Sequence, residues 1–200
     1  IAAHGGGVPA LVRVPVSDPM WIKRVLDTGA DGVIVPQIHS AEEVQRCVSA
    51  CRYPPEATRG FGPRRGARYG RSKSSEYREE ANRGVFCVAQ IETVEAVEQL
   101  DAILAIDGLD SLVVGPYDLS GSMGMMGEVT HPKVLEVIQT IVNKAKEAGV
   151  YVGMGMDADQ EYAVQAAKMG IQWVQFGGDF TYMVRFVDDR FSATREAVSR

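Results

Sequence analysis

The chain has 200 residues, 46% of them hydrophobic and 24% charged, with 21 glycines and 9 prolines, a composition that excludes disordered, collagen-like and coiled-coil chains. A net charge of −5 argues against nucleic acid as a partner, because nucleic-acid binders carry a basic excess to neutralise phosphates. No apolar run approaches the ~18 residues of a membrane span, and three cysteines (Cys47, Cys51, Cys87) are too few for a disulfide framework and predict a reducing, cytoplasmic setting.

Short runs rich in Val and Ile recur at 11–15, 32–38, 85–92, 111–118, 150–156 and 173–179. Their near-continuous hydrophobicity predicts strands buried on both faces of a parallel sheet. Amphipathic stretches with helix punctuation lie between them. Ser17 and Asp18 precede Pro19, Ser40 with Glu43 makes a capping box, and Asp157 with Gln160 resembles another. Gly29, Gly149 and Gly170 stand where a helix wants a left-handed residue after its last turn. The segments TGADGVIV, AIDGLDSLVV and KMGIQWVQF share one pattern, a helix end passing through Gly into a strand. This repeated βα unit predicts right-handed crossovers and either a doubly wound sheet or a (β/α)8 barrel. A closed barrel needs eight strands and about 250 residues, so with six strands two βα units are expected upstream. A chain beginning with Ile1 fits that expectation, and residues 1–200 then make a single, partial barrel domain.

One connection is unusually long. Between Ile38 and Val85 a helix accounts for about 40–52, and the rest is an Arg- and Gly-rich segment followed by the polar stretch SKSSEYREEANRG. From Arg52 to Lys73, seven cations (Arg52, Arg59, Arg64, Arg65, Arg68, Arg71, Lys73) face the single acid Glu56. The segment reads either as a solvated loop or as an anion-binding one. Long loops in compact domains are usually functional or mobile.

In a parallel barrel, chemistry gathers just after the C-terminal ends of the strands. Glu92 and Asp118 fall there on consecutive strands. They can hold a hard divalent ion that keeps part of its water shell, or they can cap the helices that follow. Gln90 shares the face of Glu92 by strand alternation and can bind a substrate or orient the carboxylate. Arg59, between turn-permitting residues in PPEATRGFG, can grip a carboxylate bidentately or cap strand-end carbonyls. His39 reads as surface polar, His131 as a helix start, and His4 lies at the end of the fold opposite the chemistry. Cys47 and Cys51, one helical turn apart, read as packing rather than as metal ligands. The GSMGMMG segment after Asp118 is a flexible wall or an adaptable filler. No G-x-G-x-x-G follows a strand, so a dinucleotide site is not expected.

Taken together, RYPP with RG.G at 52–62, QIET at 90–93 and GPYDLS at 115–120 resemble the HpcH/HpaI aldolase/citrate lyase family, of the 4-hydroxy-2-oxoheptanedioate and 2-dehydro-3-deoxyglucarate aldolase type. The resemblance covers essentially the whole chain in order. It implies a (β/α)8 TIM barrel of the phosphoenolpyruvate/pyruvate superfamily and a class II lyase. Such an enzyme splits a 4-hydroxy-2-oxo acid reversibly to pyruvate and an aldehyde, using Mg2+, Mn2+ or Co2+. Carried over by position, Glu92 and Asp118 match the metal ligands, Arg59 the arginine on pyruvate, and Gln90, Pro116 and Tyr117 substrate-side positions. Assembly as a homo-oligomer, a hexamer, is also implied, with Tyr182, Met183, Phe186, Val187 and Phe191 as the apolar face of a last helix.

One departure stands out. The family's proton-transferring histidine sits at the end of the second barrel strand, while the six strands here align with strands three to eight, and His4 does not match it. The metal and pyruvate half-site is thus expected without that base. Two alternatives remain, a citramalyl- or malyl-CoA lyase relative with Arg64, Arg65 and Arg68 as its basic surface, or an oxo acid-binding chain without turnover.

Overall fold

The computed structural model describes residues 1–199. Six strands, β1 (Leu11–Arg13), β2 (Gly32–Val35), β3 (Phe86–Ile91), β4 (Ser111–Val114), β5 (Tyr151–Met156) and β6 (Trp173–Phe176), form one parallel sheet in chain order. The helices are α1 (Ala2–Gly5), α2 (Pro19–Asp27), α3 (Ala41–Cys51), α4 (Ser74–Gly84), α5 (Val94–Glu98), α6 (Leu100–Leu104), α7 (Pro116–Ser122), α8 (Pro132–Ala148), α9 (Gln160–Met169) and α10 (Asp179–Val198). All six expected strands are present, each shorter than its apolar run by residues at one or both ends. Among the described residues no helix is long and apolar enough to cross a membrane.

Local chemistry fixes the helix ends. Asp18 accepts the Met20 N–H at 2.6 Å with Pro19 in the first turn of α2. Ser40 accepts the Glu43 N–H at 3.3 Å while Glu43 takes the His39 N–H at 2.8 Å, the reciprocal pair of a capping box shifted by one residue. His131 caps α8, and Gly149 and Gly170 close α8 and α9 in the left-handed conformation. One expected cap is displaced. Asp159, rather than Asp157, accepts from Tyr162 N at 2.9 Å, because β5 runs on to Met156 and a turn closed by Asp159 N–H on the Asp157 carbonyl delays the helix. The long connection also contains α4, which carries no apolar stripe. It is held instead by the buried Asn82, whose side-chain oxygen accepts the Tyr53 N–H at 2.7 Å and whose amide donates to the Tyr53 carbonyl at 3.1 Å.

Strand alternation sorts the side chains into two layers. Val33, Val35, Ala89, Ile91, Leu112, Val114, Val152 and Met154 are buried with Ile22, Leu26, Val44, Ile103, Ile138 and Ile141 of the helices in one core. The other face carries Arg13, Ile34, Gln90, Val113, Gly155 and Gln175 toward the concave side. There the Trp173 ring lies across Gly153, where a Cβ would come within 2.1 Å of it, and its Nε1 donates to Ser111 Oγ at 3.0 Å.

At the N-terminal ends of the strands, the segment after α3 folds back on α2. Arg59 donates to Asp27 at 2.9 Å, its side chain is 2% exposed, and its guanidinium lies 4.3 Å from the centre of the Tyr53 ring. Lys23 also pairs with Asp27.

Two outcomes are expected in chemical denaturation. Gly153→Ala displaces the Trp173 ring and lowers stability by about 1–3 kcal/mol, with a red shift of tryptophan emission; an unchanged spectrum would sink this assignment. Asp27→Ala leaves the Arg59 charge buried and costs about 3–5 kcal/mol. The control Glu79→Ala, which breaks an exposed 3.9 Å pair with Arg78, changes stability by less than about 1 kcal/mol.

Candidate active site

A cavity of about 570 Å³ runs along the concave face to the C-terminal ends of β3–β6. Gln90, Pro116, Tyr117 and Asp118 line it together with Arg13. Glu92 lies behind this lining, 4% exposed, and its placement follows from β3 ending one residue earlier. Gln90 and Glu92 share a face two residues apart, and the Gln90 amide donates to Glu92 Oε2. The other carboxylate oxygen accepts the Gln37 N–H at 2.7 Å, from a residue held in the left-handed region at φ 53° just after β2.

Gly115 makes this packing possible. A Cβ there would stand 2.8 Å from Glu92 Oε2 and 3.0 Å from Gln90 Nε2, so only glycine lets the carboxylate and its amide lie against the end of β4. Immediately after it, Pro116 starts α7 and Asp118 falls in its first turn. Burial pushes the Glu92 carboxyl above the ordinary carboxylate range, the facing charge of Asp118 adds to the push, and the Gln37 and Gln90 hydrogen bonds oppose it. Two carboxylates facing one another in a partly dry site can serve as donors to a divalent cation. No group of three or more His, Cys, Asp or Glu side chains suited to a metal occurs among the described residues. A hard ion on Glu92 and Asp118 therefore needs water or substrate oxygens for its remaining positions, which is how Mg2+ is commonly held.

The expected site residues divide into two groups. Gln90, Glu92, Pro116, Tyr117 and Asp118 converge on one cavity. Arg59 does not join them. It lines a separate hollow with Asp31 and Val85 at the N-terminal ends of the strands, because its pairing with Asp27, the last residue of α2, pulls the whole segment to that end. Arg65 lies there too, donating to the Thr28 carbonyl at 2.9 Å, so the basic segment does not form a surface beside Glu92. His4 is bound to Asp31 at 2.7 Å at the same end, and His39 and His131 sit at the starts of α3 and α8. Cys47, Cys51 and Cys87 are free and buried; burial pushes the Cys47 thiol up to about 12, which marks packing residues rather than nucleophiles.

Four residues that sequence reasoning passed over belong to the cavity or its support: Arg13, Gly115, Asp157 and Gln175. Arg13 carried a signal, since it is a charged residue inside an otherwise apolar strand at its C-terminal end. Gly115 carried none, because its need comes from the side chains of a neighbouring strand.

A profile of the HpcH/HpaI aldolase/citrate lyase family matches residues 1–185. Among curated relatives, a 2-dehydro-3,6-dideoxy-6-sulfogluconate aldolase of Pseudomonas putida is 40% identical over 149 residues, 74% of this chain and 58% of its own length. A 4-hydroxy-2-oxo-heptane-1,7-dioate aldolase of Klebsiella pneumoniae is 37% identical over 177 residues, 88% of this chain and 66% of its own. The chain thus spans about three-fifths to two-thirds of the length of these relatives. Among solved structures, a HpcH/HpaI aldolase from Desulfitobacterium hafniense superposes with a TM-score of 0.88 at 35% identity, covering 98% of this chain and 75% of that one. A family protein from Burkholderia cenocepacia gives 0.89 at 30% identity, covering 97% and 77%. The six parallel strands accordingly form an open part of a (β/α)8 barrel, and the chain belongs to the HpcH/HpaI aldolase/citrate lyase family.

Proposed function

We propose that this chain carries the metal and oxo acid half of a class II aldolase, a lyase that splits a 4-hydroxy-2-oxo acid to pyruvate and an aldehyde and can run the reverse condensation. The observation that carries the reading is the buried Glu92 carboxylate facing Asp118 at one end of a cavity that Arg13 also lines. Glu92 and Asp118 would hold Mg2+, Mn2+ or Co2+, and such an ion supplies Lewis acidity to a keto oxygen. The rest of the work falls to the chain's own groups. Gln90 and the Gln37 N–H fix both oxygens of Glu92 in place. Arg13 offers a guanidinium to the substrate carboxylate and to the negative charge of a developing enolate. Arg13 therefore takes the role the sequence motif had suggested for Arg59. The first turn of α7 presents backbone N–H groups without intrahelical acceptors beside Pro116 and Tyr117, suited to the same carboxylate.

Proton transfer is the step these residues serve least. None of His4, His39 and His131 lines the cavity. The free buried thiols support a reducing, cytoplasmic setting. A homo-oligomer, a hexamer by family resemblance, is supported by α10, where Phe180 is 69% and Phe186 62% exposed and no residue is buried.

Metal and substrate binding separate the roles. Glu92→Gln and Gly115→Ala each weaken Mn2+ binding, measured by calorimetry, by at least about tenfold. Arg13→Met keeps Mn2+ affinity and weakens pyruvate binding by about 10–100-fold, the size of a lost charge-assisted hydrogen-bond pair. Pyruvate binding that survives Arg13→Met would return the role to another cation. In turnover assays, a chelator abolishes pyruvate release from 4-hydroxy-2-oxo acids. With Mn2+ present, exchange of the pyruvate C3 protons in deuterated buffer runs slower than in a full-length relative; an equal rate would show that the chain supplies its own base.

A further inference from the structure

Beyond Asp118 the cavity is walled by the ends of β5 and β6, and this wall has its own chemistry. Gly155, Asp157 and Gln175 line it. The Gln175 amide donates its Nε2 to the Gly177 carbonyl at 3.0 Å, which fixes the amide orientation. Its Oε1 then faces the cavity side of Gly155, 3.4 Å from where a Cβ would stand. Asp159 rather than Asp157 caps α9, so the exposed Asp157 carboxylate is left to the cavity. The wall thus offers two hydrogen-bond acceptors, one of them charged. Arg13, on the far side of the sheet on β1, is the single cationic side chain among the described residues that line the cavity.

We propose that this wall is the acceptor subsite and that it selects a neutral, hydroxyl-bearing aldehyde fragment over one carrying a second acid group. The inference rests on the metal and oxo acid reading above, which assigns Arg13 to the pyruvate end. A hydroxyl donates to Asp157 or to Gln175 Oε1, whereas a carboxylate or sulfonate brings acceptors only. An acid group there meets the Asp157 charge, a repulsive element that sets specificity. The neighbouring Arg185 guanidinium is turned to the Ala158 carbonyl at 2.6 Å and does not line the cavity.

Binding of non-cleavable ligands tests this without turnover. The Mn2+-loaded chain is titrated by calorimetry with pyruvate, with 6-hydroxy-2-oxohexanoate and with 2-oxoadipate, which are matched in length and lack the 4-hydroxyl that cleavage needs. The hydroxyl-ended acid binds about tenfold or more tightly than the dicarboxylate, as one like-charge contact at a partly solvated site requires. Asp157→Asn, on an exposed residue, narrows that ratio by tightening the dicarboxylate, and Asp157→Lys reverses it. A dicarboxylate that binds as tightly as the hydroxyl acid, or a ratio unmoved by Asp157→Asn, overturns the proposal. So does binding of pyruvate with exclusion of both longer acids. Failure of pyruvate itself to bind with Mn2+ present overturns the underlying reading, and the acceptor subsite with it.

Discussion

A carboxylate held almost out of water, with a second carboxylate facing it, is costly in a fold that gains nothing from either charge. Glu92 is in that position, and much of the concave end of the sheet is arranged around it. Two donors hold its oxygens, Gln37 from the loop after β2 and Gln90 from its own strand, and Gly115 gives up its side chain to make room. Because the folded-state proton affinity of Glu92 is raised, its ionised form weakens the fold above that raised pKa. The weakening is relieved as pH falls through it. A cation between Glu92 and Asp118 would relieve the same strain at neutral pH, which is the physical ground for the proposed metal role of the pair.

The register of the sheet makes the rest possible. With every pairing parallel, odd and even positions of each strand stay on fixed faces, and the outer face is consumed by packing against helices. The inner face is free to carry Arg13, Gln90, Gly155 and Gln175 at one end and the Trp173–Ser111 contact further in. Trp173 fills the space that Gly153 leaves, which gives the cavity a solid floor and leaves the polar groups only at the mouth.

The architecture was legible in the residues because the apolar runs and helix caps repeat, and repetition survives errors of a residue or two at each end. The convergence of Gln90, Glu92 and Asp118 was legible because Gln90 stands near the end of β3 and the two acids come soon after β3 and β4. What could not be read were arrangements set by partners distant in sequence. The helix α4 needs no periodic stripe because the Asn82 side chain anchors it to the backbone of Tyr53, 29 residues earlier. The need for Gly115 arises from side chains of β3. The delayed start of α9 depends on where β5 stops, and that shift of cap from Asp157 to Asp159 frees a carboxylate for the cavity.

The two arginines show the limit most clearly. Both stand near glycine or strand termini, both are able to grip a carboxylate, and the motif around Arg59 is the more distinctive. Yet the carboxylate that Arg59 grips is internal: Asp27 holds it at 2.9 Å, the Tyr53 ring covers its face, and Lys23 shares the same acid. An arginine buried against its own acid and ring has little to offer a ligand, and removing it takes away one of the two cations that hold Asp27, which makes a residue distinctive for reasons of stability. Arg13 has no such internal carboxylate. It sits on an inward position of a strand whose neighbours are apolar, where a guanidinium is tolerated only because the cavity keeps it wet. A charge that the fold does not satisfy, placed where solvent or ligand can satisfy it, is what the proposed role of Arg13 rests on, and it separates the two arginines where motif alone does not.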